Sequence, residues 1–346
     1  MKYRIEIIPR TLFFKRPAGT SRGVYTERKV WYVRLTSPDE PGRVGIGECA
    51  PLPDLSCDDR PDYEQLLSDI CRQTEERGER LSEEELENYP SIAFGLETAF
   101  KHFDAGTPGF GDSAFTRGEK GIPINGLIWM GDREFMFRQI TEKIEAGFRC
   151  IKLKIGSIDF EEELGLLRYI RSRFSAREIE LRVDANGAFT PSDAPEKLKR
   201  LSELELHSIE QPIRAGQWEE MAKLISETPL PIALDEELIG CNSCAKQAEL
   251  LQTLSPQYII IKPSLHGNRD RWIRLAEEAG IGWWATSALE SNIGLNAIAQ
   301  WVSRYDNPLP QGLGTGHLFV ENVAMPLALR GDELWFYPHR QRTPVI

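Results

Sequence analysis

The chain has 346 residues, and its 53 acids against 42 lysines and arginines give a formal charge of −11. That length suits two domains, or a barrel with an attached module, and that charge disfavours nucleic acid as a partner. The five histidines, at 102, 207, 266, 317 and 339, share no metal-ligand spacing, no apolar run approaches the roughly 18–20 residues of a membrane span, and the start lacks the apolar stretch of a secretory signal. The expectation is a cytoplasmic protein with no histidine zinc site and no membrane partner.

In chain order, YRIEIIP and KVWYVRL alternate as antiparallel strands would, joined by a polar loop over 16–29. A helix is predicted over Tyr63–Glu76. Ser82 with Glu85 forms a capping box for a short second helix. A third, Ser91–Asp104, puts Ile92, Leu96, Ala99 and Phe103 on one face. Residues 1–120 therefore read as an α+β module.

From about residue 121 short β-rich runs alternate with helical stretches. The runs are GIPING (121–126), CIKLKIG (150–156), IELRVDANG (179–187), LHSIEQPI (206–213), PIALDEEL (231–238), YIIIKP (258–263), GWWATSALES (282–291) and LPQGLGTG (309–316). Between them Leu164, Leu167, Ile170 and Phe174, and later Ile293, Ala297, Trp301 and Tyr305, recur at helical spacing. Thr190, Pro191 and Asp193 mark a further helix start. Eight runs and seven helical linkers in strict alternation predict parallel strands with right-handed crossovers. The predicted fold is α/β, a (β/α)7β TIM-like barrel over 121–320. No G-x-G-x-x-G follows a strand, which disfavours a dinucleotide site. Residues 321–346 read as strand-like again and are expected to return to the first module. Cys241 and Cys244 form a C-x-x-C, but no second pair or nearby histidine completes a metal set, so they read as small residues near a helix start.

In a parallel barrel the C-terminal strand ends converge on one mouth. Lys152 and Lys154 share one strand face, and Asp184, Glu210, Asp235, Lys262 and Glu290 each occupy the end of a successive run, about 25 to 30 residues apart. Three carboxylates aimed at one cavity repel unless a cation holds them, and ligation by oxygen alone selects a hard divalent ion, Mg2+ or alternatively Mn2+. A cation and a second lysine nearby would each lower a lysine's pKa and free an amine to act as base, which suits removal of a proton next to a carboxylate.

On the motifs KLK (152–154), VDAN (183–186), IEQP (209–212), ALDE (233–236) and IKP (261–263), in this order, the chain resembles the enolase superfamily, muconate lactonizing enzyme subgroup, over nearly its whole length. A lysine base working with Mg2+ is a known device of that superfamily. The resemblance implies an N-terminal capping domain, Mg2+ held by Asp184, Glu210 and Asp235, and Lys154 and Lys262 as acid/base residues on opposite faces of the substrate. Within the subgroup Arg182, ALESNIGL (288–295), GLGTG (312–316) and the segment 16–33 are most similar to the o-succinylbenzoate synthases. That likeness implies loss of water from 2-succinyl-6-hydroxy-2,4-cyclohexadiene-1-carboxylate (SHCHC), a step of menaquinone biosynthesis. Candidate contacts to this small carboxylate substrate are Lys152, Arg182, Asn186, Ser287, Glu290, Ser291, the backbone at Gly312 and Gly314, and Ser21 and Arg22 on the 16–33 loop. The competing readings are an N-acylamino acid racemase or dipeptide epimerase of the same subgroup, and a barrel that binds without catalysis. The epimerases are expected to carry an Asp-x-Asp motif where this chain has SALES, and a binding protein has no reason to keep both lysines and all three acids.

Overall fold

The structure is a computed structural model that describes residues 1–20 and 23–346. An antiparallel sheet of β1 (Arg4–Thr20), β2 (Gly23–Thr36) and β3 (Val44–Cys49) is followed by helices α1 (Tyr63–Arg77) and α2 (Pro90–Ala105). Alternation along β2 explains its position. Trp31, Val33 and Leu35 pack on α1 and α2, while Val30 and Tyr32 face Leu265, Leu289 and Ile293 of the following domain. β3 lies so close to α2 that a Cβ on Gly47 would collide with the Gly95 carbonyl. Ser82 and Glu85 exchange hydrogen bonds of 2.9 and 3.2 Å as a capping box, yet the segment forms turns and no helix. Pro90 opens α2 soon afterwards and biases the residue before it away from helix.

β4 (Ile122–Pro123) precedes seven parallel strands in chain order: β5 (Gly126–Ile128), β6 (Cys150–Lys154), β7 (Glu180–Asp184), β8 (Ser208–Glu210), β9 (Ile232–Leu234), β10 (Tyr258–Ile261) and β11 (Gly282–Ala285). The intervening helices are α3 (Arg133–Glu145), α4 (Phe160–Arg171), α5 (Ala194–Ser202), α6 (Trp218–Glu227), α7 (Cys244–Leu254) and α8 (Arg269–Glu278), and α9 (Asn292–Val302) follows β11. Ile151, Leu153, Leu181, Val183 and Ile209 face these helices in one continuous core with Leu164, Leu167 and Ile170. Cys244 is the first residue of α7 and Cys241 lies just before it, both as free thiols.

Two of the eight predicted runs differ. Within GIPING, Ile122 and Pro123 pair with another strand and the parallel sheet begins only at Gly126. LPQGLGTG forms no strand: Gln311 bridges Ile124 and Gly312 bridges Thr286. Both differences follow from proline, since Pro123, Pro308 and Pro310 have no N–H with which to continue a ladder. The seven-stranded sheet is thus curled into a TIM-like arrangement, its edges linked by single bridges. β12 (Leu327–Arg330) and β13 (Glu333–Phe336) form a hairpin on β4. Phe319 is bridged to Phe14 of the antiparallel sheet, and Val323, Met325 and Ile346 pack against the cluster that includes Leu12 and Phe14.

Burial also governs the scarce histidines. His207, stacked on Tyr258 at 4.7 Å, is driven down to about 4 and His266 to about 3, in both cases chiefly by desolvation. A histidine whose folded pKa is depressed contributes stability that is present above its unfolded value and is lost as pH falls toward the folded value. His207→Phe keeps the stacking surface, so the variant should lose less stability than the parent between pH 7 and 4 in denaturant titrations. An equal loss contradicts the assignment.

Candidate active site

Parallel register brings the chemistry to one end of the sheet. Lys154 lies opposite Asp184, and Asp184 opposite Glu210, at the last positions of β6, β7 and β8. Asp235 and Lys262 are the residues immediately after β9 and β10. The Lys152 ammonium donates to Asp184 Oδ2 at 2.9 Å and to Glu210 Oε2 at 2.6 Å. Lys154 donates to Asp184 Oδ2 at 3.1 Å and to Asn186 Oδ1 at 2.6 Å. Lys262 donates to Asp235 Oδ2. All six residues are more than nine-tenths buried.

Such burial needs compensation. Desolvation opposes ionisation of Asp184, but Lys152 and Lys154 hold its carboxyl well below the usual range. Glu210 is pushed well above its ordinary value by burial and by Asp184, against Lys152. Burial works against the Lys152 and Lys262 ammoniums too, yet their acid partners outweigh it and raise both. In this arrangement each of these two lysines is matched to a carboxylate, whereas the lowering expected of the site's lysines requires a bound cation.

The donors suit a hard cation. Asp235 Oδ1 is buried without a hydrogen-bond partner, and Lys152 stands between the carboxylates of Asp184 and Glu210, where a cation would otherwise offset their repulsion. Among the described residues, no three acids are drawn together as metal ligands in this arrangement.

A pocket covers these groups. Its polar wall includes Asn186, Ser287, Gly312, Gly314 and Thr315, and its apolar wall includes Leu52, Leu55, Leu127, Trp129 and Leu289. Of the candidate substrate contacts, Lys152, Asn186, Ser287, Gly312 and Gly314 line it. Three predicted contacts require correction. Arg182 shares the inward face with Asp184 but lies one layer deeper, its guanidinium over Trp284 at 4.1 Å and bonded to Glu180 and the Pro310 carbonyl. Glu290 turns away to accept from Ser264, Ser287 and the Ala288 N–H. Ser291 caps α9 and is bound by Glu48. Ser21 and Arg22 lie outside the described residues.

Four residues escaped the sequence reading. Glu236 lines the pocket, is pushed up to about 7 by burial and by Asp235, and accepts from Asn186 at 3.1 Å. The second acid of ALDEE was its one available signal. Gln211 orients the end of β9 by accepting from the Asp235 N–H at 3.1 Å. Leu52 and Leu55 come from the N-terminal domain, and no spacing in the chain announces them.

Residues 136–330 match the family described as Enolase C-terminal domain-like, and residues 21–103 match MenC, N-terminal domain. The chain is 47% identical to an o-succinylbenzoate synthase of Desulfotalea psychrophila over 93% of this chain and 96% of that one. The crystal structure of MenC from that organism superposes with a TM-score of 0.84 over 97% of this chain and 100% of that one, at 42% identity. The o-succinylbenzoate synthase of Thermosynechococcus elongatus BP-1, solved with Mg in its active site, superposes with a TM-score of 0.72 at 24% identity, over 90% and 92% of the two chains. An N-succinylamino acid racemase of Thermus thermophilus is 37% identical over 46% of this chain and 42% of its own. The chain belongs to the enolase superfamily and, within it, to the family of the o-succinylbenzoate synthases.

Proposed function

We propose that the protein dehydrates SHCHC to 2-succinylbenzoate in menaquinone biosynthesis. The observation that carries this reading is the Lys–Lys–Asp–Glu–Asp–Lys constellation at successive strand ends, in a chain nearly half identical to an o-succinylbenzoate synthase over almost its full length. In this reading the curled sheet and the Gln311–Gly312 bridges act as a closed (β/α)7β barrel over 121–320, capped by 1–120, with 321–346 as the returning segment. Asp184, Glu210 and Asp235 would hold Mg2+, with Mn2+ as a substitute.

A cation held there would supply positive charge that stabilises the anion formed on the substrate's carboxylate. Lys154, as the free amine, takes the proton from the carbon bearing that carboxylate. Lys262 keeps its charge and steadies the anion that results. The C–O bond to the departing hydroxide then breaks as the ring becomes aromatic, and Lys154 returns its proton to give water. Lys152 fixes Asp184 and Glu210. Asn186 holds Lys154, the backbone N–H of Gly314 is the donor offered to the substrate, and Ser287 and Gly312, whose own donors are bonded within the protein, shape the wall around it. The protein is expected to act on a small-molecule carboxylate in the cytoplasm; no described helix is long and apolar enough to cross a membrane.

The test is direct assay with SHCHC. Turnover should disappear on exhaustive chelation and return with Mg2+. Full turnover without divalent metal removes the three acids from their assigned role.

A further inference from the structure

The catalytic pocket adjoins a second one, and the two share Asn125, Leu127, Trp129, Gly314 and Thr315 as a wall. This is where the sheet opens. Backbone hydrogen bonds tie Asn125 to Gln311 and Gly312 to Ala285 and Ser287, but among the described residues none joins β5 to Gly312–Thr315. In that wall the Thr315 hydroxyl is buried and has no hydrogen-bond partner, although its residue is only 6% exposed. A buried hydroxyl left unpaired is costly, and such a group beside a ligand pocket signals an absent acceptor.

The charge beyond the wall identifies that acceptor. Lys15, Arg16 and Lys143 line the second pocket against the single acid Glu142. Lys143 is half-buried over the Phe148 ring at 4.7 Å, and desolvation lowers its pKa. In the catalytic pocket, by contrast, all three lysines are already bonded to acids. A substrate with two carboxylates needs somewhere to place the one that does not meet the catalytic groups, and the only excess of cations adjoining the site lies past Thr315 among the described residues.

We infer that Thr315 determines specificity for dicarboxylate substrates: its hydroxyl donates to the carboxylate at the end of the succinyl arm, which enters the opening between β5 and Gly312–Thr315 under the field of the cationic pocket. The inference rests on the dehydration reading above. It separates the two carboxylates by chemistry, one at the lysines and acids, the other at a neutral donor backed by positive charge.

Two ligands and two variants test it. The acids 2-succinylbenzoate and 2-butyrylbenzoate differ in the terminal carboxylate, which the second replaces with a methyl group, and their affinities are measured by calorimetry on the parent protein, Thr315→Val and Thr315→Ser. Loss of a hydrogen bond to a charged group corresponds to about 10- to 100-fold. Thr315→Val should weaken 2-succinylbenzoate by that factor and leave 2-butyrylbenzoate within about threefold, while Thr315→Ser stays near the parent. The KM for SHCHC should rise in Thr315→Val with kcat nearly unchanged, and the thermal midpoint should not fall, since removal of an unpaired buried hydroxyl costs little. The inference is overturned if both acids weaken equally, if neither does, if the loss lies in kcat, or if the parent does not distinguish the acids. Failure of the parent to dehydrate SHCHC would instead refute the reaction assigned above, and the comparison of the two acids would still decide the role of Thr315.

Discussion

Lys154→Ala should lower kcat for SHCHC dehydration by about 10²- to 10⁴-fold, the range contributed by a positioned general base. The three lysines are not equivalent. Lys152 is shared between two carboxylates at 2.9 and 2.6 Å, and Lys262 is bonded to Asp235, so the protons of both are held by acids. Lys154 meets one carboxylate, at 3.1 Å, and its shorter bond, at 2.6 Å, is to the neutral amide of Asn186. Its nearest partner is therefore neutral, unlike those of the other two lysines. Lys152→Ala should act differently, through loss of metal affinity, because it removes the partner that fixes Asp184 and Glu210. Single-turnover rates at saturating Mg2+ separate the two effects. A near-normal chemical rate in Lys154→Ala would place the base elsewhere.

The second large effect concerns stability. Glu48, on β3, is fully buried and accepts from the Ser291 N–H at 2.8 Å, the Ser291 hydroxyl at 2.5 Å and the Gly294 N–H at 2.8 Å. An acid of the N-terminal domain thus caps the first turn of α9, where the helix dipole favours negative charge. Glu48→Ala strands these donors and should cost about 2–4 kcal/mol. Its pH dependence has a defined sign. Desolvation raises Glu48 to about 7 from 4.5, against the hydrogen bonds from Ser291 and with Glu290 adding to the rise. A group whose folded pKa is raised contributes stability that is complete below the unfolded value and is lost as pH climbs through the folded one. The penalty of Glu48→Ala, measured by denaturant unfolding, should therefore be greater at pH 5 than at pH 8. The opposite order would show that Glu48 is held as the anion throughout.

The reactive centre was legible because its members repeat with the βα unit. Asp184, Glu210, Asp235 and Lys262 each sit at or just past the end of a strand, and parallel register turns equal place in the unit into proximity in space. Period-2 alternation put Arg182 on the same inward face as Asp184, but alternation carries no information about depth, and one layer below the pocket that guanidinium stacks on Trp284. Glu290 and Ser291 are expected in the pocket from their place in ALESNIGL, the segment that carries the resemblance at the end of the seventh run. Their partners, Ser264 and Glu48, come from distant parts of the chain. The same separation hid Leu52 and Leu55, which reach the pocket only when the antiparallel sheet docks on the strand ends. The eighth run differs because its glycines and apolar residues imitate a strand entry, whereas Pro310, with Pro308 just before the run, leaves Gln311 and Gly312 to make single bridges.

The claim that this site dehydrates, rather than racemises, is tested most directly by one competition. The purified protein is incubated in deuterium oxide with Mg2+ and either SHCHC or a series of N-succinyl amino acids, and loss of SHCHC is compared with deuterium entry at the amino-acid α carbon. The account predicts that dehydration is faster than exchange for every amino acid in the series. Exchange much faster than dehydration would contradict it and make the same lysine pair the opposed bases of a racemase.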